Sequence, residues 1–258
     1  MPEITQEEAI SNFQMVLSSA AQLPGVNIDR EKYLEGALKK SFSPEVISMA
    51  IETSPAAAGI SPEELGAIAD ASIRYEATKV TALSAISGIP GGLAMMGTVP
   101  ADLAQYFAHV LRICQKLAYL YGWENLFTGT EEEIDDETKN LLILFMGVMF
   151  GANGATDAIA KISQSAAAAA AKRIPQKALT KGVVYPAVKK VAGYLGFAKG
   201  ISKAIPVIGA VISGSITLAT YTPMCLKLKD YLAKLEIANP VTYVIDIEPK
   251  TEDQDFES

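Results

Sequence analysis

Between Lys79 and Asp102, between Lys139 and Asp157, and between Lys203 and Lys227 the chain carries no charged side chain. Runs of this length have to be buried, either in a protein core or in lipid. A helix that crosses a bilayer needs about 20 consecutive apolar residues. The first run is broken in its middle by Gly88-Ile89-Pro90-Gly91-Gly92, and the second is short. The third is diluted by Ser213, Ser215, Thr217, Thr220 and Thr222. None of them reads as a straightforward spanning helix, so the choice lies between close helix packing and a hairpin that inserts conditionally.

The third run favours close packing in one respect. Gly209, Ser213 and Thr217 recur every four residues and place small side chains along one helical face. Gly193, Gly196 and Gly200 form a similar strip upstream. Such strips let two helix backbones approach, whether inside one bundle, between copies of the chain or in lipid.

Helix starts are clearly marked. Thr5 with Glu8 and Ser61 with Glu64 have the spacing of a capping box, and Ser43-Pro44 and Ser61-Pro62 put proline at the first helical position. Leu23-Pro24-Gly25, Ser54-Pro55 and Gly88–Gly92 separate the segments, so at least four helices precede residue 100. A long helix from Pro100 to about Tyr121 follows, then an acidic loop, an apolar helix from about Thr138 and the alanine run 166–171. The expected fold is all-α: a single multi-helix bundle over residues 1–240 with glycine-rich apolar helices. Val241 to Ile247 reads as a short extended segment, and an acidic tail completes residues 241–258.

The net charge of −7 conceals a strong asymmetry. No Asp or Glu lies between Asp157 and Asp230, whereas eleven of the 22 Lys and Arg residues do. Subtracting this +11 from the total leaves −18 on the remainder, much of it in the tail (Asp246, Glu248, Glu252, Asp253, Asp255, Glu257). Lys172, Arg173, Lys177, Lys181, Lys189, Lys190, Lys199 and Lys203 flank alanine-rich and glycine-rich stretches, a composition suited to an anionic lipid surface. Nucleic acid is disfavoured as a partner, because this third offers little arginine and few aromatic residues for stacking. A solvated basic face neutralised by the acidic tail is the plainer alternative.

On a helix of 3.6 residues per turn, Asp102, Gln105, Tyr106, His109 and Lys116 share one sector, with Arg112 at its margin. Asn153 and Asp157 are further polar residues that either complete a pocket or cap the helix break at Gly154. Histidine beside a carboxylate supports acid–base chemistry, but Asp102 and His109 are two turns apart and no nucleophile accompanies them. The plainer reading is an inter-helix hydrogen-bond network.

Other classes of activity lose ground. The single histidine and the two well-separated cysteines, Cys114 and Cys225, do not form a zinc pattern, and both thiols read as reduced core residues. Gly-x-Gly-x-x-Gly, phosphate-loop and Gly-x-Ser-x-Gly motifs are missing, so no catalytic residue and no cofactor is implied. The acidic N-terminus lacks a basic and apolar leader, which predicts a cytoplasmic protein, either free or peripheral at the inner face of the membrane.

Leu23–Val26, Gly88–Gly92, Pro100–Tyr106, Gln115–Trp123 and Ile205–Ala210 together resemble the EcsC family of bacterial proteins over roughly residues 20 to 235. The family is named for a protein encoded beside an ABC transporter, so the resemblance implies a bacterial, membrane-linked context. It carries over no catalytic residue. Three functions are therefore weighed. The first is a membrane-associated helical protein that binds anionic lipid and oligomerises or inserts. The second is an enzyme or small-molecule binder built around Asp102 and His109. The third is a helical adaptor for a transporter or another complex.

Overall fold

The computed structural model describes residues 6–87, 101–126, 135–169, 182, 184–193 and 209–240. Within these residues the regular structure is entirely helical. In chain order the helices are α1 (Gln6–Ala21), α2 (Arg30–Leu38), α3 (Pro44–Glu52), α4 (Pro62–Ser87), α5 (Ala101–Leu120), α6 (Asp136–Phe150), α7 (Ala155–Ala169), α8 (residues 184–193) and α9 (Gly209–Leu232). A 3-10 turn at Glu236–Ala238 follows. The expected all-α bundle is thus the observed architecture, and among the described residues four helices precede residue 100. The Val241–Ile247 segment and the acidic tail lie outside the described residues.

Local chemistry sets the helix boundaries. At the start of α4, the Ser61 hydroxyl accepts from the Glu64 amide at 3.3 Å, while the Glu64 carboxylate accepts from the Ser61 amide at 3.0 Å. This is the reciprocal capping box expected from the spacing. Asp29 and Asp135 cap α2 and α6 by accepting from the amides of Lys32 and Thr138. Gly151 ends α6 in the left-handed region (φ 72°), which spares it the steric penalty other residues meet there.

Helix α5 is the axis of the bundle. It packs against α1, α2, α4, α6 and α9, and every residue from Ile113 to Tyr121 is buried. So complete an enclosure requires the polar side chains on α5 to find partners inside the protein. Gln115, fully buried, does so by accepting from the Ile28 amide at 2.8 Å and donating to the Val26 carbonyl at 2.8 Å. It thereby pins the α1–α2 connection to α5.

Arg30, also buried, ties three elements together. Its guanidinium donates to the carbonyls of Ala50, Ile51 and Thr53 at the C-terminal end of α3 and to Trp123 just after α5. Carbonyls at a helix C-terminus lack intrahelical donors and carry the negative end of the macrodipole, so an arginine is well matched to them. Close packing by small residues occurs at Gly147 of α6, where an added Cβ would lie 2.7 Å from the Ala187 Cβ of α8. Gly193 was expected to pack in this way. Within the described part of the bundle it is exposed, and outside its own helix backbone no described atom lies within 4 Å of where its Cβ would be. Gly196 and Gly200 lie outside the described residues, as do the side chains of Ser213 and Thr217.

Among the described residues, no helix is long and apolar enough to cross a membrane. If Arg30 is the tie between α2, α3 and the end of α5, Arg30→Met should lower unfolding stability by about 3 kcal/mol, because several buried carbonyls lose a charged donor. Urea denaturation monitored by circular dichroism measures this, and a midpoint equal to that of the parent would exclude the role.

Candidate functional site

Helix α4 places a carboxylate in its apolar stripe. Leu65, Ala69, Ile73, Ala77 and Val80 are buried at helical spacing, and Glu76 sits among them with no exposure at all. An isolated carboxylate in such a position would be protonated or would unfold the chain. Glu76 is not isolated, because the polar stripe of α5 faces it.

Three nitrogen-bearing side chains from successive turns of α5 converge on this group. His109 Nδ1 lies 2.6 Å from Glu76 Oε2, Arg112 Nε donates to Oε1 at 3.2 Å, and Lys116 Nζ donates to Oε1. The spacing of three, then four, residues keeps all three side chains on one face. Burial alone would push the Glu76 carboxyl up. The hydrogen bond from His109, together with the charges of Lys116 and Arg112, overrides burial and draws it down to about 2. Because an ionised carboxylate only accepts hydrogen bonds, the proton of this pair belongs to His109 Nδ1.

Aromatic and hydroxyl groups complete the surroundings. The Lys116 ammonium sits 4.9 Å from the centre of the Tyr75 ring and 5.7 Å from that of Tyr33, so the quadrupoles of two rings supplement the carboxylate. Desolvation lowers the pKa of Lys116, and the neighbouring Glu76 opposes that shift. The Tyr33 hydroxyl is 2.8 Å from the Ser72 hydroxyl, and Tyr221 of α9 donates to the His109 carbonyl at 3.1 Å. Arg112 also reaches back to the Gly25 carbonyl, linking the site to the turn after α1.

The polar stripe read from the sequence is therefore brought together at His109, Arg112 and Lys116. Gln105 and Tyr106 lie half-buried on the same helix, with the Tyr106 ring edge-on to Tyr221 at 6.1 Å. The side chain of Asp102 lies outside the described residues. Asn153 and Asp157 are exposed around the start of α7. The partner that sequence reasoning missed is Glu76. Its signal was present, since a carboxylate three residues after Ile73 and four before Val80 falls on an apolar helical stripe.

The two thiols are not part of any reactive arrangement. Cys114 and Cys225 are both buried and unpaired. Desolvation raises Cys114 far above the ordinary thiol range and Cys225 to about 12, so neither is a thiolate nucleophile. Among the described residues, no three His, Cys, Asp or Glu side chains are grouped as metal ligands.

The basic third is only partly described. Lys189 and Lys190 are exposed on α8, and Lys161 is exposed on α7. Lys172, Arg173, Lys177, Lys181, Lys199 and Lys203 lie outside the described residues. No family model matches the chain, and neither a curated protein nor a solved structure matches it significantly.

The buried carboxylate makes stability depend on acid in a defined direction. A depressed folded-state value means that the stabilisation is complete above the ordinary value of 4.5 and is lost as pH falls through about 2. Glu76→Gln should flatten this part of the stability–pH curve and lower stability at pH 7 by about 3 kcal/mol or more, since Arg112 and Lys116 lose their counter-charge. Urea midpoints of parent and variant across this pH range check it. Parallel curves would show that Glu76 is not the responsible group.

Proposed function

We propose that this chain is a peripheral, membrane-associated helical protein that binds anionic lipid through its basic third. The observation that carries the reading is the division of α8 into two faces. Val184, Ala187, Val188, Val191 and Ala192 are buried against the bundle, while Tyr185, Lys189 and Lys190 are exposed, with the Lys189 ammonium 5.5 Å from the centre of the Tyr185 ring.

A helix whose apolar face is already taken up by the core has charge and one aromatic ring left to offer a membrane. Binding of that kind is electrostatic docking, with the tyrosine at headgroup level, and it does not require α8 to insert. The absence of acidic residues from 158 to 229 supports the same reading, because no neighbour in sequence neutralises these lysines. Oligomerisation or insertion through the Gly209, Ser213 and Thr217 face of α9 belongs to the proposal. So does the EcsC-like, bacterial and cytoplasmic setting.

Each lysine near an anionic surface contributes about 1 kcal/mol, so Lys189→Gln combined with Lys190→Gln should weaken binding to phosphatidylglycerol vesicles by about 30-fold. Vesicle flotation at low and moderate salt measures it. Equal recovery with neutral and anionic vesicles, or a double variant that floats like the parent, overturns the proposal.

A further inference from the structure

The ion cluster around Glu76 is unbalanced. One carboxylate faces Arg112, Lys116 and His109, so the cluster carries +1 with a neutral imidazole and +2 with a protonated one. Among the described residues, the other groups facing it do not correct this. From α4 comes the Tyr75 ring, from α2 Tyr33, and from α9 the Tyr221 hydroxyl and the Cys225 thiol, all uncharged at neutral pH. Asp70, one further acid on α4, is held by Lys229 at 2.7 Å. Asp102 lies two turns before His109 on α5, and its side chain is outside the described residues.

The members of the cluster differ in depth. Glu76 is completely enclosed and Lys116 nearly so, whereas the side chains of His109 and Arg112 retain 14% and 23% exposure. These two sit three residues apart on α5 and are the most exposed members of the cluster. Their hydrogen bonds engage particular atoms: His109 uses Nδ1 toward Glu76, and Arg112 uses Nε toward Glu76 and Nη1 toward the exposed Gly25 carbonyl. His109 Nε2 and Arg112 Nη2 have no hydrogen-bond partner among the described residues.

We infer that His109 and Arg112 form the recognition rim of a site for a phosphate group, with Glu76 and Lys116 as its buried base. Arg112 Nη2 offers one charged guanidinium donor to an oxyanion, and an imidazolium Nε2 adds a second. The charge sets the ligand class. A phosphate monoester or inorganic phosphate, carrying between −1.5 and −2 at pH 7, matches the +2 cluster, whereas a single carboxylate would leave charge behind. Binding takes up a proton on His109 Nε2, because in the neutral ring that nitrogen is an acceptor and would face the anion with its lone pair. Glu76 fixes the tautomer that leaves Nε2 for this purpose, so it is a positioning residue. The site is independent of the lysines on α8.

His109 is the only histidine, so its imidazole nitrogens give an unambiguous NMR signal in the whole protein. Titration with inorganic phosphate at constant ionic strength, using chloride as the control, should move both nitrogens saturably toward the imidazolium pattern. Chloride should leave them unmoved. A second arm uses vesicles containing phosphatidic acid. A response to phosphate assigns a soluble ligand, and a response to the vesicles alone assigns a lipid headgroup. No response in either arm, or an equal response to chloride, overturns the site. Arg112→Lys keeps the charge opposite Glu76 but removes the Nη2 donor, and should raise the half-saturating phosphate concentration about tenfold. If Arg112→Lys retains the parent's circular dichroism and its half-saturation, the arginine has no part in recognition and the inference fails.

Discussion

A carboxylate without solvent exposure has to be neutralised by protonation or by partners, and in this protein it is done by partners. Glu76 is held ionised by hydrogen bonds and charges from His109, Arg112 and Lys116, all on α5. The arrangement fixes the rotation and register of α5 against α4, because a shift of one residue on either helix would bury a charge without its partner. The turn after α1 is held to the same place through the Arg112 contact with Gly25, and α9 through Tyr221 on the His109 carbonyl. Apolar packing supplies most of the burial, but it tolerates sliding in a way that this cluster does not.

Two further buried polar side chains repeat the logic with backbone groups as partners. Gln115 binds both Val26 and Ile28, and Arg30 gathers the carbonyls at the end of α3 and at Trp123. Each joins segments far apart in sequence and satisfies backbone groups that helix geometry leaves unpaired. The described residues up to 126 are therefore organised around α5 by a few specific polar contacts within an apolar core.

The second half of the chain is built differently. Here α6 approaches α8 at Gly147 and Ala187, where small side chains allow close backbone contact. The surface left by this packing carries lysine, since the apolar face of α8 is turned inward and its Lys189 and Lys190 outward. Polar specificity around α5 and small-residue packing between α6 and α8, whose exposed face carries Lys189 and Lys190, set these two regions apart. The phosphate rim and the lipid-binding face proposed above correspond to that division.

Much of this was legible in the residues themselves. Capping at Ser61, the breaks at Gly25 and Gly122 and the helical class follow from short-range backbone chemistry, which acts within a few residues and leaves a mark in sequence. The alignment of His109, Arg112 and Lys116 was equally readable, because helical periodicity alone places them on one face. Periodicity says nothing about what that face meets. The pairing with Glu76, 33 residues before His109, depends on how α4 and α5 cross. The same holds for Arg30 reaching Trp123 and for Gly147 meeting Ala187 while Gly193 stays exposed. The sequence by itself determined which segments are helices and which faces carry charge. Only the tertiary structure decided which of those charges are buried together, because desolvation and pairing are properties of a neighbourhood assembled from distant parts of the chain.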